Sequence, residues 1–472
     1  MLQRFYQSLP IILFLFVTSL FFAPGCANIV PPSGGTKDTI PPRLIKAVPK
    51  DSALNINGSK ITLQFDEFVE LQNAAEQTII SPLPQKQPQI ESKLKTVTVR
   101  FKDSLKPNTT YTIDFGNALA DINEGNIQKN FRYIFSTGNY IDSLSLSGRI
   151  ILAENGKTDS TLWALLYNKE EDSTVFKESP SYITRVNSKG FFQFENLPAG
   201  TYYVYGLGDA DGNKRYNQSI ETFAFSDRSV TIPGDSLIQT LYAFAAEKDK
   251  KRDISASGNN ITSADKFIYQ TNVKNGALDL MDTLTINFKL PLAAFNKKGV
   301  TLYEDSTLIT NNPEINLDSQ QRNLMLITTL RAGGRYKLIL PKEFARDSSG
   351  RSLSQNDTIA FRVKEEKEYG SLRLRFSQLD LSKKPVLLFY QNGAIQYSFP
   401  LRDAEFYMKL FKPGTYSLAI LYDTNGNGSW DPGDYFSKNR KQPEIVIAIN
   451  KEVIVKENWD NETEIGLLGN TP

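Results

Sequence analysis

The side chains in this sequence whose types and spacing could bind a cation lie in the run Asp423-Thr-Asn-Gly-Asn-Gly-Ser-Trp-Asp-Pro-Gly-Asp434. Counted from Asp423, side-chain oxygens fall at positions 1, 3, 5, 9 and 12 on Asp423, Asn425, Asn427, Asp431 and Asp434, with Gly428 at position 6. Ser429 offers its backbone carbonyl at position 7. A hard cation takes six to eight oxygens, and alternate residues of a tight loop can all turn toward one centre, so this is the spacing of a calcium loop. Two features depart from that pattern. Position 12 is Asp rather than the longer bidentate Glu, and residues 416–422 before the loop alternate like a strand. The competing reading is a turn held by Asx side chains bonded to their own backbone, for which Asn, Asp and Gly are the commonest formers. Both readings stay open at the level of sequence.

A second loop, Asp209-Ala-Asp-Gly-Asn-Lys-Arg-Tyr-Asn217, keeps oxygens at Asp209, Asp211, Asn213 and Asn217 but replaces the position-6 Gly with Lys214 and reaches Ile220 at position 12. Other chemistry is sparse. The chain has no histidine, which removes His-based triads, His general bases and His metal ligands. Enzymes that use carboxylates alone, glycosidases above all, remain an alternative. Asp66, Glu67 and Glu70 form an acidic group after a strand, read as a surface strand end rather than a catalytic pair. Trp163 alternates with Leu165 and Tyr167 and reads as core; Trp430 lies in the calcium-type loop and, with Trp459, is a candidate sugar-stacking platform. Lys and Arg total 54 against 52 Asp and Glu, a balance with no basic patch for nucleic acid.

The elements that must hold these loops are strands. Ile61-Thr-Leu-Gln-Phe65, Val97-Thr-Val-Arg-Phe101, Tyr111-Thr-Ile-Asp-Phe115 and Phe131-Arg-Tyr-Ile-Phe135 alternate apolar and polar residues, the period of half-buried antiparallel strands. Leu284-Thr-Ile-Asn-Phe288, Tyr336-Lys-Leu-Ile-Leu340 and Ile359-Ala-Phe-Arg-Val363 repeat that order downstream. A different module recurs as well. Gly200, Tyr202, Asp209 and Asn213 match Gly414, Tyr416, Asp423 and Asn427, each 214 residues on. One offset shared by four positions marks an internal duplication. The expected fold is therefore all-β: tandem β-sandwich domains in an A-B-A′-B′ arrangement.

The boundaries read as 41–138 (A), 139–246 (B), a charged linker at 247–260, 261–365 (A′) and 366–472 (B′, carrying the Asp/Asn loop). Ile40-Pro-Pro42, Val48-Pro-Lys-Asp51, Leu63-Gln-Phe-Asp-Glu67, Asp121-Ile-Asn-Glu-Gly-Asn126 and Phe135-Ser-Thr-Gly138 resemble the bacterial Ig-like domain of S-layer and Bacteroidota envelope proteins. A′ carries a weaker version, without the Pro-Pro opening or the Phe-Ser-Thr-Gly close. Phe192-Gln-Phe-Glu-Asn-Leu-Pro-Ala-Gly-Thr-Tyr202 resembles prealbumin-like or carboxypeptidase-regulatory-like sandwiches. The combination is similar to an Ig-like-domain lipoprotein of Bacteroidota. That resemblance implies scaffolding, adhesion or accessory roles in the envelope and carries no catalytic residues with it.

Cysteine occurs once, at Cys26. It follows Arg4, an apolar run over 11–22 and the small residues Ala23 and Gly25, which resembles a bacterial lipoprotein signal. The resemblance implies cleavage after residue 25 and acylation of Cys26, with a Pro/Gly-rich tether over 26–40. The apolar run is short for a membrane span, and a lone thiol excludes an intrachain disulfide. Two or three acyl chains would anchor the chain firmly where one would not. No Asp stands directly after Cys26, so the inner-membrane retention signal of enterobacterial lipoproteins is absent and the resemblance implies the outer membrane, with the face left open. The expected function is a non-enzymatic, lipid-anchored scaffold or binding subunit for envelope proteins or an outer-membrane assembly or secretion machine. A surface glycan, or a carboxylate-based accessory to glycan hydrolysis, is the alternative.

Overall fold

The computed structural model describes residues 37–467 except 170, 172, 236–239, 248–265 and 311–312. The signal, most of the tether, Cys26 and nearly all of the charged linker therefore lie outside the described residues. Contacts divide the chain into two compact units, one made of residues up to 79 together with 86–139, the other of 80–85 and everything from 140 onward.

The first unit is a small β-sandwich. Its larger sheet runs Leu44–Val48, Lys60–Phe65, Thr96–Arg100, Gln89–Lys93 in spatial order. Thr110–Asp114 pairs with Arg132–Ser136, and Val69–Leu71 with Leu119–Asp121. The alternation in sequence becomes inside and outside. Ile61, Leu63, Phe65, Val97, Val99, Ile113, Tyr133 and Phe135 are buried, while their polar neighbours face out.

The module of residues 269–363 repeats this topology. Tyr269–Thr271, Leu284–Phe288, Asn323–Ile327 and Glu314–Leu317 form a sheet in the same relative order, and Leu292–Phe295 pairs with Ala345–Asp347 as Val69–Leu71 does with Leu119–Asp121. Tyr111 and Tyr336 make equivalent hydrogen bonds, each hydroxyl accepting the backbone N–H five residues earlier, from Lys106 and Arg331 respectively, at 2.8 Å.

The other two modules also share one topology. Leu144–Leu152 pairs antiparallel with Phe191–Leu197 and parallel with Leu241–Ala245. Gly370–Ser377 pairs antiparallel with Glu405–Phe411 and parallel with Asp460–Gly466. The facing sheet is Tyr182–Arg185, Trp163–Tyr167, Gly200–Gly208, Thr222–Phe225 in the first and Ala394–Pro400, Pro385–Gln391, Gly414–Tyr422, Ile445–Val455 in the second. Each Pro-Gly-Thr-Tyr motif works the same way: Tyr202 donates to Pro198 O at 2.8 Å and Tyr416 to Lys412 O at 3.1 Å, closing the chain on itself at the strand start. One difference separates the copies. In the first, Thr222–Phe225 also pairs with Leu241–Ala245, joining its strands into one sheet; the second keeps two sheets. The chain is thus all-β, with tandem sandwiches in A-B-A′-B′ order.

Candidate functional site

Each B module carries its Asp/Asn loop at the end of the strand that begins with the Gly-Thr-Tyr motif. Asp423 is buried, and its carboxylate accepts the backbone N–H groups of Gly426 at 2.6 Å, Asn427 at 3.2 Å and Gly428 at 2.6 Å. Asn425 Oδ1 accepts from Asn427 N at 2.9 Å and Asn427 Oδ1 from Ser429 N at 2.7 Å. The amide N–H2 groups of both asparagines turn to Asp431 Oδ2, at 2.8 Å from Asn427. Successive short polar side chains bonded two residues ahead wind the backbone into a tight coil, and glycines at 426 and 428, both with φ of 78°, supply the left-handed steps. Asp434 is drawn away to the backbone N–H groups of Phe436 and Ser437, both at 3.0 Å. The structure therefore gathers Asp423, Asn425, Asn427, Ser429 and Asp431 in one coil and sets Asp434 on a separate turn. The acceptors of the coil are engaged by N–H groups, so a cation at its centre would displace the asparagine amides from Asp431.

In the first copy, the carboxylate oxygens of Asp209, Asp211 and Glu221 lie within 4.8 Å of one another, the one such trio of metal-ligating types among the described residues. Here the positive charge is built in. The Lys214 ammonium pairs with the Asp209 carboxylate and lies 4.4 Å from the centre of the Trp163 ring, with the Arg185 guanidinium 4.3 Å from the same ring. Trp163 is thus half-buried between two cations rather than a core residue. Burial pushes the Asp211 carboxyl up, but hydrogen bonds from Asn213, Asn217 and Gln218 outweigh it and hold the group below its usual range.

Two residues that matter escaped the sequence reading. Glu221 and Glu444 are both buried and close the two loops. Glu221 accepts the N–H groups of Ala210, Asn217 and Gln218, each at 3.2 Å. Glu444 accepts Thr424 N at 2.8 Å, Thr424 Oγ1 at 2.9 Å and Asp431 N at 3.2 Å. They do not share the repeat offset, because Glu221 follows Asp209 by 12 residues and Glu444 follows Asp423 by 21. The legible signal was their place, directly before the next apolar strand.

The longer second loop reaches across to the first module. Tyr435 is buried against Tyr205, Phe223 and Phe225 with ring centres 5.9, 5.1 and 5.2 Å away, and its hydroxyl lies 3.2 Å from that of Tyr205. Phe436 stacks on Tyr216 at 5.7 Å. Gln442 donates to Phe225 O at 3.1 Å and Asp227 Oδ1 at 2.7 Å, and Val446 N to Ala153 O at 2.8 Å. Gly433 lies so close that a Cβ there would come within 2.6 Å of the Phe244 ring. Trp430, half-buried, donates its indole N–H to Glu444 O at 2.7 Å and packs on the outer face of its own sheet.

A comparable joint ties residues 269–363 to the last module. Leu280 N donates to Tyr369 Oη at 2.7 Å, the Tyr369 hydroxyl donates to Asp279, and Lys412 pairs with Asp279 and Asp282, both at 3.2 Å. In the first unit, Asp66 accepts Arg43 N at 2.7 Å and Glu70 accepts Gln72 Nε2 at 2.7 Å. Burial, then the neighbouring carboxylates of Asp121, Asp66, Asp38 and Glu124, push the Glu67 carboxyl up. Trp459 is exposed beneath the Lys456 ammonium.

Strand pairing, duplicated topology and these joints define a class: serial β-sandwich modules whose recurring features are structural latches. Within it, residues 38–137 match the family described as the bacterial Ig-like domain. No curated protein matches the chain. Among solved structures, the TIE protein of Bacillus anthracis aligns at 13% identity over 92% of this chain and 75% of its own, with a TM-score of 0.16. The S-layer protein rSbsC aligns at 12% over 90% of this chain, which spans 54% of it, also at 0.16. BcpA, the major pilin subunit of Bacillus cereus, aligns at 9% over 69% of this chain and 99% of its own, at 0.16. At those scores the sandwich assignment of the later modules rests on their own strand pairing. No helix among the described residues is long and apolar enough to cross a membrane.

Proposed function

We propose that the chain is a non-enzymatic outer-membrane lipoprotein of the Bacteroidota type, anchored through acylated Cys26 and acting as a scaffold or binding subunit for envelope proteins. The observation that carries this reading is the interlock of modules after residue 140. Tyr435, Phe436 and Gln442 fasten one prealbumin-like module to the other, and Tyr369 and Lys412 fasten the intervening Ig-like module to the last. Buried aromatic contacts across module boundaries hold surfaces in fixed register, which is what a platform for partners needs. Changing Cys26→Ser tests the anchor: the protein should move from the membrane to the soluble fraction and cease to incorporate labelled palmitate. Unchanged fractionation would sink the lipoprotein reading. Stoichiometric recovery of a β-barrel protein from detergent-solubilised outer membranes is the expected sign of a machine subunit, and binding to a glycan array without such a partner would favour the alternative.

Calcium at Asp423, Asn425, Asn427, Ser429 and Asp431, with the position-12 ligand Asp434 released from its own turn to reach it, is a separate proposal that rests on donor spacing. The first loop has its own ammonium on Lys214, whereas Gly428 stands at that place in the second, so the second is the better candidate for an external ion. A site of about 10 μM affinity at about 1 mM free ion would add roughly 2.7 kcal/mol of stability. Calorimetric titration of the whole protein should then show heat and a raised melting temperature; the absence of both would remove calcium from the account.

A further inference from the structure

The two Ig-like modules, A and A′, carry opposite charge at one equivalent corner. Strands Lys60–Phe65 and Leu284–Phe288 hold the same place in the duplicated sheets. The residue after each makes the same hydrogen bond: Asp66 N donates to Arg43 O at 3.1 Å, and Lys289 N to Ile268 O at 3.2 Å. Asp66 therefore corresponds to Lys289. Ile122 N donates to Phe68 O at 3.1 Å, and Ser348 N to Pro291 O at 2.8 Å, so Phe68 and Ile122 correspond to Pro291 and Ser348. In A the corner is an apolar knob among acids. Phe68 and Ile122 are 44% and 52% exposed. Burial, then the carboxylates of Asp121, Asp66, Asp38 and Glu124, push the Glu67 carboxyl up, so these acids share one field. Lys95 answers them in part, donating to Asp66 O with its ammonium 5.5 Å from the centre of the Phe68 ring. In A′ the corner holds a cavity of about 150 Å³ between the half-buried Phe267, Ile268 and Leu290, with Lys266, Lys289 and Arg351 beside it. Arg351 is tied to the buried Asp347 at 3.0 Å. Lys266 and Lys289 are exposed and their ammonium groups enter no ion pair among the described residues.

We propose that the acidic knob of A in one chain docks into the basic socket of A′ in a second copy of the same chain, with the Phe68 ring in the cavity and Glu67 and Glu124 facing Lys266 and Lys289. Size fits the ring, since an apolar cavity of about 150 Å³ holds one benzene, and exposed aromatic side chains are effective interface anchors. Charge selects the partner. Knob against knob sets acids against acids and socket against socket sets bases against bases, so only the head-to-tail pairing is attractive. A contact between two different patches of one chain is heterologous and repeats from copy to copy, building a row or a ring. Exposed ion pairs contribute little one at a time, so the contact draws on the ring and on several charges together, and added salt weakens it. The inference goes beyond the scaffold reading: the partner is the protein's own kind, and the contact requires neither lipid nor a second protein.

Sedimentation velocity of the detergent-solubilised full chain, over a range of protein concentrations, reads the contact. Species larger than the monomer should grow with concentration at about 0.05 M salt and recede at about 0.5 M, where the screening length is several-fold shorter. Two charge reversals then test the faces. Glu67→Lys with Glu124→Lys makes both corners basic, and Lys266→Glu with Lys289→Glu makes both acidic. Each variant alone should stay monomeric with an unchanged melting temperature, and an equimolar mixture of the two should associate again. Phe68→Ala, at an exposed ring, should weaken association at least tenfold while leaving the charges in place. A wild-type chain that is monomeric at every concentration overturns the proposal, as does association that both reversals retain, which would place the contact elsewhere or in the detergent micelle. A mixture that stays monomeric overturns it too, because it shows that the two corners do not meet. All of these variants keep Cys26, so membrane fractionation reads the anchor separately and tells failure of the contact from failure of the lipoprotein reading.

Discussion

Buried carboxylates ringed by backbone N–H groups recur at the tight loops of this chain. Asp423 satisfies three such donors, and Asp121 does the same for Glu124, Gly125 and Asn126 at 2.6–3.0 Å. Replacing Asp423 by alanine leaves those donors without partners, at a cost of about 1–3 kcal/mol; urea unfolding of Asp423→Ala should show a loss in that range, with a smaller loss for Asn. The pH dependence follows from similar groups. Burial pushes the Asp121 and Asp347 carboxyls up, but backbone hydrogen bonds outweigh it and hold both below their usual range. The Arg362 guanidinium, hydrogen-bonded to Glu368, holds that carboxyl at about 2. A folded-state value below the unfolded one means that the unfolded chain takes up protons first. These groups therefore stabilise the fold above about pH 4, the unfolded range of carboxyls, and that contribution falls away below it, for Glu368 toward pH of about 2. Unfolding midpoints measured from pH 7 to pH 2.5 should drop below about pH 4, and Asp121→Asn with Asp347→Asn should flatten the drop.

At the scale of elements, the two Asp/Asn loops show how one turn is put to two uses. Both open on a buried Asp and close on a buried Glu just before the next strand. The second has extra chain between these fixed points, and Tyr435 and Phe436 occupy it. Tyr435→Ala removes a ring packed against three others, and large-to-small changes at such sites cost about 3–5 kcal/mol. Because the ring bridges two modules, the loss should appear as separation of their unfolding, read as faster proteolysis of residues 140–247 while the last module stays folded. A uniform loss across both modules would show that the arm stabilises only its own loop. The arm was hidden in sequence because Asp434-Tyr-Phe436 reads as the end of a calcium-type loop, and nothing local says that the ring will meet Phe223 more than 200 positions earlier.

For the whole molecule, contacts fall into two units, and the joints described above all lie in the second. Calorimetry should therefore resolve a separate transition for the first Ig-like domain, and the later modules should unfold together through their shared joints. Merging of all domains into one transition would contradict this.

Alternation of period two, one repeat offset and the turn residues determined the all-β architecture and its duplication, because strands of this kind are specified by which side chains alternate along a few residues. Resemblance then added the Ig-like character of residues 41–138, close to the matched span of 38–137. Tertiary structure alone decided what the loops touch. Whether an Asp/Asn coil closes on Glu444, whether Lys214 settles against Trp163, and whether Tyr435 roofs the sheet of the other copy depend on pairs far apart in the chain. Such pairs are set by packing volume and hydrogen-bond satisfaction across modules, and neither quantity is encoded in any single stretch of residues.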